Sequence, residues 1–326
     1  MKSLRVYKKN IIFILTLPLI FLLTLFIANR NPALPDYTMY LGIFNNADFR
    51  SGIEISYLLI VRAVHFLNGD IIDVMFIYAA LGVVTKFFII FKTSSNDGSC
   101  YYYTMFIIMY FLSFIFVWEY IQIRAAVGIS FFLVGVFSKK SKNKILFFII
   151  SCAFHYSMAL PSALFLSFFY INKIKYKIIC IPFVLMCAAA MFYLTPFAKS
   201  YSANNYMIDG KGIFSTQYCL VYLNLLIIFF FRKRITLASK EVLSLYFGAI
   251  TIAIMMIVFN RGFPAFTDRL MDIATLMSVI PLFYIRNNGY KFFLFFYVIF
   301  FGLMRYRVVT SGLDPTVMNF DSFFSL

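Results

Sequence analysis

The chain is 326 residues long, 63% hydrophobic and only 13% charged, with a mean hydropathy of +0.87. A soluble domain is about half apolar and a quarter charged, so this chain has too little polar surface to cover a globule in water. Its formal charge of +16 is spread between long apolar runs rather than gathered in one basic domain, which argues against nucleic acid as a partner.

Backbone groups inside a bilayer must bond within their own segment, so apolar runs of this kind predict an all-α, polytopic transmembrane helix bundle. Short alternating segments of the β-barrel type are absent. Cys100, Cys152, Cys180, Cys187 and Cys219 show no paired spacing, which predicts neither a disulfide framework nor a zinc site. The first apolar run follows Lys2, Arg5, Lys8 and Lys9 and lacks a clear small-residue cleavage site, as a signal anchor does. With about 20 apolar residues to a span, the predicted spans cover residues 11–28, 71–91, 101–118 and 121–138. A long run, 145–170, follows, and then 178–194, 217–231, 241–259, 270–285 and 292–304. The total is about 10–11 membrane segments in a single domain over residues 1–326.

Lysine and arginine in short loops set the orientation. The N-terminus, Lys86 with Lys92, Lys139–Lys144, Lys173–Lys177, Arg232–Lys240 and Arg286 with Lys291 are all expected on the cytoplasmic side. The run 145–170 then has lysines at both ends. At about 1.5 Å per residue it is too short for two full spans. His155 and Pro161 lie near its middle, which predicts two short helices meeting in the outer half of the membrane. With that hairpin, about 15 of 17 lysines fall inside and about 8 of 12 arginines outside. The outward arginines are Arg30, Arg50, Arg62, Arg124, Arg261, Arg269, Arg305 and Arg307. A planar guanidinium grips phosphate in two-pronged fashion, so the set points to an anion such as a lipid-linked diphosphate. Pairing with acids or with lipid headgroups is the alternative for each of them.

Four places carry residues able to do chemistry. The first outward loop holds Asp36, Tyr37, Tyr40, Asp48 and Arg50. Next come residues 54–68, in which Glu54, Leu58, Arg62 and His65 share one stripe of an amphipathic helix at the outer interface. The second place is Trp118-Glu119-Tyr120-Ile121-Gln122-Ile123-Arg124, where Gln122 and Arg124 begin a helix continued by the small residues Ala125, Ala126 and Gly128. Glu119 and Arg124 stand about 140° apart on an ideal helix, which argues against a simple pair. The third is His155 at the hairpin bend, suited to bond a sugar hydroxyl, to accept a proton, or merely to cap a broken helix. The fourth runs from Asn260 to Arg269, with Arg261, a Gly262–Pro264 break, Asp268 as a candidate base or orienting group, and Asp272 one turn on. No nucleotide loop, zinc motif or carboxylate cluster is present, so no metal or cofactor is expected.

In this order the pieces resemble the EpsG family of polysaccharide polymerases, which includes many Wzy-type O-antigen polymerases. The matching residues are Asp36-Tyr37-x-x-Tyr40, Glu54-Ile55-Ser56-Tyr57-Leu58-Leu59, Gln122-x-Arg124-Ala125-Ala126, Phe154-His155-x-Ser157-x-x-Leu160, then Arg261 and Arg269, with a degraded tail at Leu313-Asp314-Pro315. The resemblance implies a GT-C-like bundle in the bacterial inner membrane, acting at the periplasmic face on undecaprenyl-diphosphate-linked oligosaccharide. A flippase and a chain-length regulator are the implied partners, alongside membrane lipid. For such a reaction Arg124 and Arg261 are expected to bind the diphosphate, with Arg269 in support. His155 positions or deprotonates the acceptor, with Asp36 or Asp268 as rival bases. Tyr37, Tyr40 and Trp118 offer ring faces to sugars, and Glu54, Arg62, His65, Glu119 and Gln122 join the substrate-binding set. A lipid-linked oligosaccharide flippase or another lipid-dependent glycosyltransferase or ligase is the rival expectation.

Overall fold

The computed structural model describes residues 2–34, 36–46, 53–95, 100–194, 212–235, 239–260, 263–285 and 288–310. Every regular element among them is helical; an isolated antiparallel bridge joins Ile235 and Ile285. In chain order they are α1 (Lys2–Ala28), α2 (Tyr37–Asn45), α3 (Ile55–Phe66), α4 (Ile71–Ser95), α5 (Cys100–Met109) with a continuation over Tyr110–Ile121, and α6 (Ile123–Phe137). Then follow α7 (Ser141–Phe154), α8 (Ala159–Tyr170), α9 (Ile174–Leu194), α10 (Thr216–Phe231), α11 (Ser239–Phe259), α12 (Pro264–Leu282) and α13 (Asn288–Thr310). Among the described residues, three helical stretches are long and apolar enough to cross a bilayer: Ile71–Thr93, Tyr101–Ile121 and Lys240–Phe259. Shorter apolar helices cover Phe13–Ala28, Ile55–Phe66, Ile123–Phe137, Tyr156–Tyr170 and Thr216–Phe231.

The helices fall into two compact units, Met1–Ala159 with Val298–Leu326, and Leu160–Tyr297. The core of the first contains Ala28, Tyr40, Tyr57, Val61, Val64, Val74, Tyr78, Ile123 and Val127, drawn from α1, α2, α3, α4 and α6. Local chemistry sets the helix ends. The Asp70 carboxylate accepts the Ile72 and Asp73 amides, and the Asp73 carboxylate accepts the Asp70 amide, so the two acids cap α4 reciprocally. Between α3 and α4, Asn68 adopts a left-handed φ of 56°, and a Cβ at Gly69 would lie 2.5 Å from the Asp73 carboxylate. The turn therefore needs the small residue that stands there.

α6 and α7 pack as a hairpin. Ser151 donates to the Gly128 carbonyl at 2.6 Å, and Lys144 donates to the Val136 carbonyl at 2.6 Å. The lysine thus satisfies an orphan carbonyl at the end of α6. Gly128 lets α7 approach closely, since a Cβ there would lie 3.1 Å from that of His155 and 3.2 Å from the Ser151 carbonyl. Arg124 and His155 stand at one end of this pair and the Lys139–Lys144 loop at the other. Fifteen residues of α6 separate the two ends by about 22 Å.

The run 145–170 breaks where the sequence predicts. α7 stops at Phe154, His155 is extended at φ −157° and ψ 115°, one tight turn spans Tyr156–Met158, and α8 begins at Ala159. With 14 and 12 residues, each arm is shorter than the about 20 needed to cross a bilayer.

In the second unit, a buried polar seam ties helices together. Asn224 of α10 donates to Ser278 of α12 at 2.9 Å and accepts from the Tyr297 hydroxyl of α13. Tyr218 donates to Asn260 at 2.9 Å. Such bonds supply specificity where lipid tails remove the hydrophobic drive between helices.

Candidate active site

Glu54 stands just before α3 in an extended conformation (φ −65°, ψ 134°). Its side chain therefore does not continue the exposed stripe of that helix but turns inward. One carboxylate oxygen meets His155 Nδ1 at 2.9 Å and the other takes Arg124 Nη1 in an ion pair. The three side chains are 5%, 17% and 14% exposed respectively. Residues 70 and 101 positions from Glu54 thus meet on one carboxylate.

The neighbours hold this triplet in place. Ser56 donates to the Ala153 carbonyl at 2.8 Å, and the Tyr156 hydroxyl donates to the Ile53 carbonyl at 3.2 Å, so the start of α3 is pinned to the end of α7 on both flanks of His155. An aromatic column runs beneath: Tyr40 on Tyr57, Tyr57 on Tyr78, Tyr78 on Phe154 and Phe154 on Phe131, with ring centroids 5.2–5.7 Å apart. The Arg124 guanidinium lies over the Tyr40 ring at 5.2 Å. Stacked there, it is confined to one orientation.

Burial pushes the Glu54 carboxyl up, but the His155 hydrogen bond and the Arg124 charge outweigh it and hold the pKa below the ordinary 4.5. The group is ionised at neutral pH. A carboxylate accepts only, so it fixes the neutral imidazole with its proton on Nδ1 and the Nε2 lone pair free. Nε2 has no hydrogen-bond partner among the described residues. Arg124 also has a donor in reserve: its buried Nε has no hydrogen-bond partner among the described residues, while Nη2 meets the Met39 sulfur at 3.8 Å and the guanidinium also bonds the Tyr40 side chain. A general base and a cationic donor set, joined through one carboxylate, are the parts a group transfer from phosphate requires.

The remaining expected residues are distributed as follows. Tyr40 is 1% exposed, and its face carries Arg124. Tyr37 is half-buried against Leu34 and Tyr120. Asp36 is half-buried at the start of α2. The exposed His65 donates from Nε2 to the Phe44 carbonyl at 3.0 Å, and Arg62 is exposed on the same helix. Gln122 occupies the break before α6, at φ −104° and ψ 61°. Asp268 is half-buried and Arg269 exposed on α12, both in the second unit. Arg261, Arg50 and Asp48 lie outside the described residues. Trp118 is 2% exposed and stacks on Phe114 at 4.3 Å, so its ring is not open to a sugar.

Two groupings are not foreseen by the sequence reading. Glu119 is 1% exposed and pairs at 2.6 Å with Lys86, itself 1% exposed. Lys86 therefore sits inside the helix packing and does not mark a membrane edge with Lys92. A cation midway along an apolar run needs a buried counter-ion, and that signal stood in the sequence. Arg30, 4% exposed, donates to the carbonyls of Glu119 at 3.1 Å and Tyr120 at 3.0 Å. It is engaged with backbone inside the fold, so it leaves the set of outward phosphate-binding arginines. Burial lowers its pKa to about 10, which keeps it cationic at neutral pH.

Among the described residues no group of three His, Cys, Asp or Glu side chains is placed to hold a metal ion. Comparison with protein-family models matches residues 13–320 to the EpsG family. Comparisons with curated proteins and with solved structures returned no match. With nearly its whole length matched, the chain belongs to the EpsG family, a Wzy-like polymerase family.

Proposed function

We propose that this protein polymerises undecaprenyl-diphosphate-linked oligosaccharide repeats into O-antigen or capsular polysaccharide at the periplasmic face of the bacterial inner membrane. It acts as a GT-C-like glycosyltransferase, with the whole chain serving as one polymerase domain. The observation that carries this reading is the grip of Glu54 on both His155 and Arg124. That grip lies at the end of α6 and α7 remote from the Lys139–Lys144 loop, which by the charge rule faces the cytoplasm.

The reaction transfers the growing chain from its lipid diphosphate to the terminal sugar of an incoming lipid-linked repeat. His155 Nε2 accepts the proton of the acceptor hydroxyl. The hydroxyl oxygen forms a bond to the donor's anomeric carbon, the bond from that carbon to the phosphate oxygen breaks, and its electron pair leaves on the diphosphate. Glu54 keeps Nδ1 protonated and steadies the imidazolium as it forms. Arg124 turns its reserve Nε donor to the departing diphosphate, where the charge develops. The glycosyl-phosphate bond supplies the driving force, so the step needs no nucleotide. Asp36 is the rival base, and Tyr37, Arg62, His65 and Gln122 line the sugar path. A flippase delivers the repeats and a chain-length regulator acts on the product.

Deleting the protein from its host tests this reading. Loss of a polymerase leaves a single repeat on the lipid acceptor. Loss of a flippase or a ligase leaves no repeat there, and that pattern would refute polymerisation.

A further inference from the structure

The continuation of α5, Tyr110–Ile121, is wound with wide π-type turns over 12 residues. Such turns normally occur singly and mark functional places. The wide stretch ends at the Gln122 break, and Arg124 stands two residues beyond. A helix end of this kind leaves carbonyls without partners and is free to swing. Here it is held from both sides. Arg30 takes the carbonyls of Glu119 and Tyr120 before the break. Lys86 takes the Glu119 carboxylate before the break and, at 2.6 Å, the Ala126 carbonyl after it. Ser130 closes the same corner by donating to the carbonyls of Gly82 and Ala126 at 2.8 and 2.9 Å.

We infer that Lys86 and Glu119 are a positioning pair that clamps the break between α5 and α6 and thereby aims the Arg124 guanidinium at Glu54. The inference rests on the reading of Arg124 as the diphosphate ligand. It assigns Glu119 to positioning rather than to direct sugar contact, in keeping with its burial. An ion pair is a costly way to hold two helices together, because an apolar pair of similar size holds them as well or better. What an apolar pair lacks is the directed bond that joins the two sides of the break. One ammonium bonded to the Glu119 carboxylate and the Ala126 carbonyl at once ties together the two ends of the segment that carries Arg124.

The test is the double variant K86M/E119L, which removes the bonds without stranding a buried charge. Thermal melting, amide exchange across residues 122–127, and turnover of a defined lipid-linked repeat are measured on the full-length protein. The expected result is an unchanged melting temperature, faster exchange at 122–127, and kcat lower by about tenfold or more with KM held, since a small misplacement acts mainly on the transition state. Unchanged exchange, or faster exchange with unchanged kcat, overturns the inference. So does a collapse of the melting temperature, which would make the pair a plain structural support. If wild-type protein forms no polymer at all, the polymerase reading fails, and the exchange data still decide whether Lys86 and Glu119 clamp the break.

Discussion

Replacing Glu54 with glutamine reaches every part of the proposed centre through one atom. The carboxylate accepts from two donors, one on each oxygen. Glutamine keeps the shape but presents one oxygen and one NH2 group. With the oxygen on Arg124, the NH2 faces His155 Nδ1 and forces the imidazole proton onto Nε2. With the oxygen on His155, the NH2 faces a guanidinium and the ion pair is lost. Either way one charge-assisted hydrogen bond disappears, a cost of about 1.5–3 kcal/mol to the fold at a site this enclosed. The catalytic loss is larger in the first arrangement, because a base without its lone pair forfeits the about 10²–10⁴-fold that general-base catalysis contributes. The assay is single-turnover polymerisation by purified protein in lipid nanodiscs, followed as the gain of a second repeat, with melting recorded alongside. A variant that melts lower but turns over within about a factor of three of wild type would refute the coupling of Glu54 to His155.

Further outcomes follow from the same geometry. Arg124→Lys keeps the charge but loses the planar fork and its seat on Tyr40, so long-chain polymer should fall sharply on a gel of cell-surface polysaccharide; a normal ladder would remove two-pronged phosphate binding by Arg124. The Glu54 pKa is lowered on folding, so its contribution to stability is complete above the ordinary 4.5 and fades as pH falls below that through the lowered value. Melting curves should therefore show the gap between wild type and E54Q closing in that acid range, and a gap that stays constant contradicts the assignment. Gly82→Ala places a Cβ 2.6 Å from the Glu119 carboxylate, which Lys86 holds in place. Chemical denaturation should register a loss of about 1–3 kcal/mol.

The helical membrane character was legible because apolar runs leave few other solutions, and the break at His155 followed from lysines flanking a run too short for two spans. The residues Glu54, Arg124 and His155 were each recognisable as polar groups in apolar surroundings. Their meeting was not, because periodicity placed Glu54 on the outer stripe of α3 with Arg62. It is in fact the last extended residue before the helix, where the period does not apply. Loop position alone cannot tell a guanidinium that binds a ligand from one that binds backbone carbonyls, so in the sequence Arg30 falls with the outward arginines. The charge rule applies to loop residues, whereas Lys86 lies within α4 and its partner sits 33 residues away in the sequence.

In the proposed mechanism His155, held by Glu54 and facing the acceptor beside Arg124, is the working base of a lipid-linked repeat polymerase. Purified wild type and H155A, each incubated with one defined undecaprenyl-diphosphate-linked repeat, test it directly. Wild type should give a ladder of products and a folded H155A only unextended repeat. A ladder of equal length and rate from H155A would contradict it.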